Sequence, residues 1–96
     1  MIIPLNDEEI TQNLNSLNGW IYADSKLTKS FEFLNFRDAV AFIMRLSFEA
    51  EQSDHHPEIN NCYNRVAISL CTHDAGSKVT EKDFSLAKAI ERLFSA

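Results

Sequence analysis

Glycine and proline are scarce, with two of each in 96 residues. That excludes collagen-like, low-complexity and linker-rich architectures. Seven Phe beside so few Gly point to a packed core with short connections. Cysteine is scarce too. Cys62 and Cys71 form no CxxC pair and no repeated metal pattern; they read as two buried, reduced thiols, with one disulfide as the alternative. No apolar run approaches the roughly 20 residues that span a bilayer. The opening MIIPLNDEEI has no basic segment followed by a long apolar one, so it does not read as a signal peptide. Positive charge is also short: nine Lys and Arg stand against 14 Asp and Glu, a net charge of -5. The nine are scattered, and binding a phosphate backbone needs a basic surface that releases counterions. These absences lead to one expectation, a cytoplasmic globular domain over residues 1–96 with no nucleic-acid or membrane partner.

Periodicity supplies the elements. PLNDEEITQNLNSL reads as a helix capped by Asn6, with Glu9 completing a capping box and Ile10, Leu14 and Leu17 as its apolar stripe. GWIYADSKLTKSFEFL reads as two strands around a turn at Asp24 and Ser25. In the second strand Leu27, Phe31 and Phe33 share one face, and Thr28, Ser30 and Glu32 the other. NFRDAVAFIMRLSFEAEQSD is the longest helix, with Phe36, Ala39, Val40, Ile43, Leu46 and Ala50 in one arc. Phe42 and Phe48 fall outside that arc, which suggests that this helix also packs on another subunit. EINNCYNRVAISLCTH reads as a second hairpin turning at Tyr63 and Asn64, with Val66, Ile68 and Leu70 on its core face. A last helix starts after Thr80. Helix, two strands, helix, two strands, helix is the order of an α+β fold, α-β-β-α-β-β-α, with three helices on one face of a four-stranded antiparallel sheet.

Against this background SDHHPEIN stands out. The chain holds three histidines, and two are adjacent at the end of the longest helix. Pro57 stops that helix and pushes His56 towards an extended conformation, while His55 still belongs to the helix end, so the two rings approach a ligand from different angles. Glu51 lies four residues before His55, on the same helix face. His73 ends the last strand, on the side of the small residues Ser69 and Cys71. Two chemistries suit such a cluster. Imidazole has a reference pKa of about 6.5, so acid-base catalysis is available near neutrality. Three histidines with an open position also suit zinc, although adjacent ligands converge on one ion less readily than the helical i, i+4 pair. Asp83 sits on an otherwise apolar helix face with Ala87, Ile90 and Phe94. It reads either as a first-turn cap for Thr80 or as a carboxylate facing the histidines. Trp20 reads as core or as a wall beside a flat ligand.

Glu51, then His55-His56-Pro57, Tyr63, the Thr72-His73 pair and Asp83 together resemble the signature of the pterin-4a-carbinolamine dehydratase family, also known as dimerisation cofactors of a homeodomain transcription factor. Gly19-Trp20, FEFLNF, EAEQSDHHPE and VTEKDFSLAKAI extend the resemblance over nearly the whole chain. One departure is the loop DAGSKVTEK, which lacks the family's paired glycines and is one residue longer. The resemblance implies the α-β-β-α-β-β-α fold and a homodimer or homotetramer. It implies dehydration of 4a-hydroxytetrahydropterin to quinonoid dihydropterin, a step that serves aromatic amino acid hydroxylases. It also implies that His55 and His73 are the acid-base pair, that His56 with Pro57 holds the ring, and that Glu51 supports His55. Asp54, Cys71, Thr72 and Asp74 would complete the pterin site, with Asp83 and Trp20 also contributing. No redox cofactor or metal is called for, the pterin being the substrate. The alternative is a protein-interaction module without catalysis.

Overall fold

The structure, a computed structural model, describes residues 2–95. Its elements are α1 (Asp7–Leu14), β1 (Ile21–Ala23), β2 (Lys26–Glu32), α2 (Phe36–Ser53), β3 (Glu58–Cys62), β4 (Arg65–Leu70), a short 3₁₀ turn (His73–Ala75) and α3 (Glu81–Ser95). The strands form one antiparallel sheet in the order β1-β2-β4-β3. The expected α+β class and element order hold.

Local chemistry explains each boundary. The Asn6 side chain accepts from the Glu9 backbone N–H and the Glu9 carboxylate accepts from the Asn6 N–H, which is the expected capping box. The helix proper stops at Leu14. Three i→i−3 bonds then carry the chain through Asn15 and Ser16, so Leu17 is buried from a turn and not from a helical stripe. Asp24 and Ser25 both have positive φ, the geometry that a two-residue hairpin turn with the right twist requires. The second hairpin turns at Tyr63 and Asn64, with Cys62 opposite Arg65.

Register aligns the core. Leu27 lies opposite Leu70 and Phe31 opposite Val66, so the buried faces of the two central strands coincide. Burying each such side chain contributes about 1.5–3 kcal/mol. Phe31, Phe33, Phe42 and Phe94 form an aromatic cluster with centroids 4.9–6.1 Å apart. The phase of α2 differs from the expected arc. Its buried positions are Ala39, Phe42, Leu46 and Ala50, and Phe42 is 0% exposed. Phe36 and Val40, expected inside, face out with Met44 and Phe48 in a row spaced by four. The sheet covers a narrower arc than periodicity suggests, centred nearer Phe42, because the Phe31–Phe33–Phe94 cluster draws that ring in.

Lys29 points to the core side of β2, runs its stem along the apolar surface and has its charge matched by Glu91. Its ammonium lies 4.8 Å from the Phe31 ring centre and donates to Glu91 at 2.8 Å. The same Glu91 oxygen accepts from the Trp20 indole N–H at 3.0 Å. Cys62 and Cys71 are free thiols, and Cys62 is exposed on the edge strand β3, against the expectation that both are buried. No helix among the described residues is long and apolar enough to cross a membrane.

Candidate active site

Two chain reversals meet at one end of the sandwich. At the first, α2 closes with a Schellman pair of bonds: the His55 N–H reaches the Ala50 carbonyl, and the Asp54 N–H reaches that of Glu51. Asp54 takes the left-handed conformation (φ 51°), which Asp tolerates better than most residues. The closure sets His55 just past the helix, turned inward and only 8% exposed. At the second reversal, Thr72 leaves β4 and bridges to Lys78, and His73 starts the 3₁₀ turn. Strand alternation therefore ends before His73, which is exposed on a turn and does not extend the face of Ser69 and Cys71.

Asp83 is the pivot. Its side chain is 0% exposed. Oδ1 accepts from His55 Nε2 at 2.6 Å. Oδ2 accepts from the Thr80 backbone N–H and the Thr72 hydroxyl, both at 2.9 Å. The Thr72 proton is thus committed to Asp83, so at the 2.6 Å contact between the two threonine hydroxyls Thr80 is the donor. Thr80 Oγ1 in turn accepts from the Lys82 N–H. Both readings of Asp83 hold at once: one oxygen caps α3 and the other faces a histidine. No buried side-chain polar atom among the described residues lacks a partner. With Nε2 donating to a carboxylate, Nδ1 is the His55 nitrogen left to exchange a proton with a ligand.

Beside this pivot lies a cleft of about 190 Å³. Asp54, His55 and His56 line it from the end of α2; Cys71, Thr72, His73 and Asp74 from the end of β4; and Lys82 from the first turn of α3. All three histidines thus converge. The structure differs from expectation on three residues. Glu51 hydrogen-bonds His56 Nε2 and not His55, because the Schellman turn swings His56 back over the last helical turn while His55 is drawn inward by Asp83. Asp83 stands behind His55 and does not line the cleft. Trp20 lies apart from it, buried against Phe31 and tied to Glu91. Pro57 is half-buried and joins α2 to β3. Sequence reasoning missed Lys82, whose only signal is adjacency to Asp83, and the contact of Thr80 with Thr72, since Thr80 reads from sequence only as the start of the last helix. Among the described residues no three His, Cys, Asp or Glu side chains are grouped to hold a metal ion.

The profile of the family described as pterin 4 alpha carbinolamine dehydratase matches residues 3–93. A protein of Christiangramia forsetii with the provisional name pterin-4-alpha-carbinolamine dehydratase is 48% identical over 91 residues, 95% of this chain and 93% of that protein. One of the same provisional name from Opitutus terrae is 46% identical over 89 residues, 93% of this chain and 92% of that protein. The crystal structure of a transcriptional coactivator/pterin dehydratase from Brucella melitensis superposes with a TM-score of 0.89 at 37% identity, covering 94% of this chain and 97% of that one. A pterin dehydratase-like protein identified as a RuBisCO assembly factor shares the fold, with a TM-score of 0.69 at 24% identity over 82% of this chain and 93% of that one. With a profile match that runs almost end to end and relatives matched over nearly their full length, the chain belongs to the pterin 4 alpha carbinolamine dehydratase family.

Proposed function

We propose that the chain is a hydro-lyase that dehydrates 4a-hydroxytetrahydropterin to quinonoid dihydropterin. The observation that carries this reading is the convergence of His55, His56 and His73 on one cleft, with His55 held by the buried Asp83. The reaction breaks the C4a–O bond and the N5–H bond. The N5 electron pair becomes the new C4a=N5 bond, and the departing oxygen takes a proton and leaves as water. No electrons are gained or lost. Two imidazoles around one flat ring deliver and remove the two protons near neutrality. His55 and His73 take these roles. His73 has no side-chain hydrogen bond among the described residues and can follow the leaving hydroxyl; His55 is fixed by Asp83, a positioning residue. Asp54, Cys71, Thr72 and Asp74 line the rest of the ring site, and Pro57 shapes the approach to it. The product serves enzymes that consume reduced pterin, such as aromatic amino acid hydroxylases, in the cytoplasm.

His56 is 59% exposed at its side chain and bonded to the still more open Glu51, a rim arrangement suited to holding the ring. His56→Ala is expected to raise KM more than it lowers kcat, the pattern of lost uniform binding, in steady-state assays of the dehydration. Equal losses in kcat and kcat/KM would move His56 into the proton-transfer pair. No metal takes part in the proposed chemistry. EDTA is therefore expected to leave the rate intact, and a loss restored by zinc would assign the histidines to an ion instead.

The row Phe36, Val40, Met44 and Phe48 leaves an apolar stripe on the open face of α2, with Phe48 70% exposed. Such a stripe suits a second copy of the chain, giving a homodimer or homotetramer. Light scattering at micromolar concentration is expected to give a multiple of the 11.0 kDa chain mass, and Met44→Glu with Phe48→Glu is expected to reduce it to one. A wild-type monomer would leave the stripe without this role.

A further inference from the structure

Thr80 precedes α3, and its hydroxyl does more than a helix cap requires. The oxygen accepts from the Lys82 N–H at 3.2 Å, an ordinary first-turn bond. Capping needs only an acceptor, and an ionised Asp, which has no proton to give, caps at least as well as Thr. The Thr80 proton is surplus to that task and goes inward, to Thr72 Oγ1 at 2.6 Å. Both threonines are buried.

The two ends fix the direction of this chain. A backbone N–H only donates and an ionised carboxylate only accepts. The protons therefore point one way: Lys82 N–H to Thr80, Thr80 to Thr72, and Thr72 to Asp83 Oδ2. Each bond polarises the next, and the low dielectric of the interior strengthens them all. The other oxygen of the same carboxylate holds His55 Nε2. Thr72 is also part of the turn that carries His73. Its N–H donates to the Lys78 carbonyl, and its carbonyl accepts from the Ala75 and Ser77 N–H groups. Thr72 thus ties the carboxylate behind one histidine to the turn that bears the other. Thr80 does not line the histidine cleft, so it reaches the reaction only through its neighbours.

Resting on the proposed dehydration, we infer that Thr80 is a positioning residue. Its hydroxyl proton orients Thr72, and through Thr72 the Asp83 carboxylate, so that His55 keeps its proton on Nε2 and presents Nδ1 to the ring.

The test compares wild type, Thr80→Val, Thr80→Ser, Thr72→Val and the Thr80→Val/Thr72→Val double variant. It reads kcat and the proton NMR of the imidazole N–H groups in protein with nitrogen-labelled histidine. Valine keeps the shape of threonine, and at position 80 it keeps the backbone N–H that bonds Asp83, so the hydroxyl alone is lost. A carboxylate with weaker donors on Oδ2 pulls harder on His55. The Nε2 proton resonance is expected to move downfield in Thr72→Val and, by less, in Thr80→Val. The kcat of each is expected to fall roughly two- to tenfold, the worth of one hydrogen bond. Thr80→Ser is expected to behave as wild type in both readouts. The double variant is expected to match Thr72→Val alone, because Thr80 acts through Thr72. Additive losses overturn the inference and route the effect of Thr80 through Lys82 and the start of α3. An unshifted resonance in folded Thr80→Val also overturns it. So does a wild-type spectrum with the His55 proton on Nδ1, a result that needs no variant to fold. The resonances are read without turnover. A wild type that shows them yet does not dehydrate 4a-hydroxytetrahydropterin overturns the dehydratase reading, and the catalytic role of Thr80 with it.

Discussion

His55→Ala and His73→Ala are each expected to lower the turnover rate, by roughly 10²–10⁴-fold where the acid-base role is fully lost. The measured loss is bounded below that range if one imidazole serves both steps, since the uncatalysed dehydration already proceeds. The two replacements together are expected to cost less than the sum of the singles in free energy, because the residues act as one unit on one ring. Steady-state kinetics of both singles and the double, each checked for folding by circular dichroism, decides the point. Wild-type kcat in folded His55→Ala and His73→Ala reduces the histidines to pocket lining.

Asp83→Ala is the second large effect, and it falls on stability as well as rate. The change leaves the Thr80 N–H, the Thr72 hydroxyl and His55 Nε2 without their acceptor in a fully buried place. Removing one partner of a buried polar network costs roughly 2–5 kcal/mol, because the groups left behind keep their desolvation penalty. In a domain of this size that corresponds to a fall in Tm of roughly 10–25 °C. Asp83→Asn separates fold from chemistry. It keeps the volume and one acceptor oxygen. If that oxygen stays on the Thr72–Thr80 side, the amide nitrogen faces His55, makes Nε2 the acceptor and puts the ring proton on Nδ1. The expected result is a smaller loss of Tm with a large loss of kcat, read by thermal melts and kinetics on the same samples. A variant with full activity would show that the orientation of His55 does not matter.

Much of this was legible before any coordinates. The strands announce themselves by alternation, and Leu27, Phe31, Val66, Ile68 and Leu70 all sit where period two puts them. The start of α1 was readable because Asn6 and Glu9 act through local bonds. The long helix was harder. Periodicity gives the width of an apolar stripe but not how much of it the sheet covers, and in α2 apolar residues extend past the buried arc from Ile43 to Phe36, Val40 and Met44. That is why Phe42 and Phe36 changed places between expectation and structure. The histidine cluster was visible as types and spacing, but its pairing was not. Helical i, i+4 geometry couples Glu51 to His55 only while the helix lasts, and the left-handed Asp54 ends it one residue too soon. The contact of Asp83 with His55 spans 28 residues and depends on the Thr72–Lys78 bridge, a tertiary feature with no local signature. Trp20 carried no directional information at all; its Glu91 partner lies 71 residues away.

The most direct measurement follows the disappearance of 4a-hydroxytetrahydropterin with time in buffer alone, with the wild-type protein, and with the folded His55→Ala/His73→Ala double variant. The account predicts that wild type accelerates the loss in proportion to its concentration and that the double variant returns the trace close to that of buffer. A wild-type trace that overlies buffer at every protein concentration contradicts it, and so does a double variant as fast as wild type.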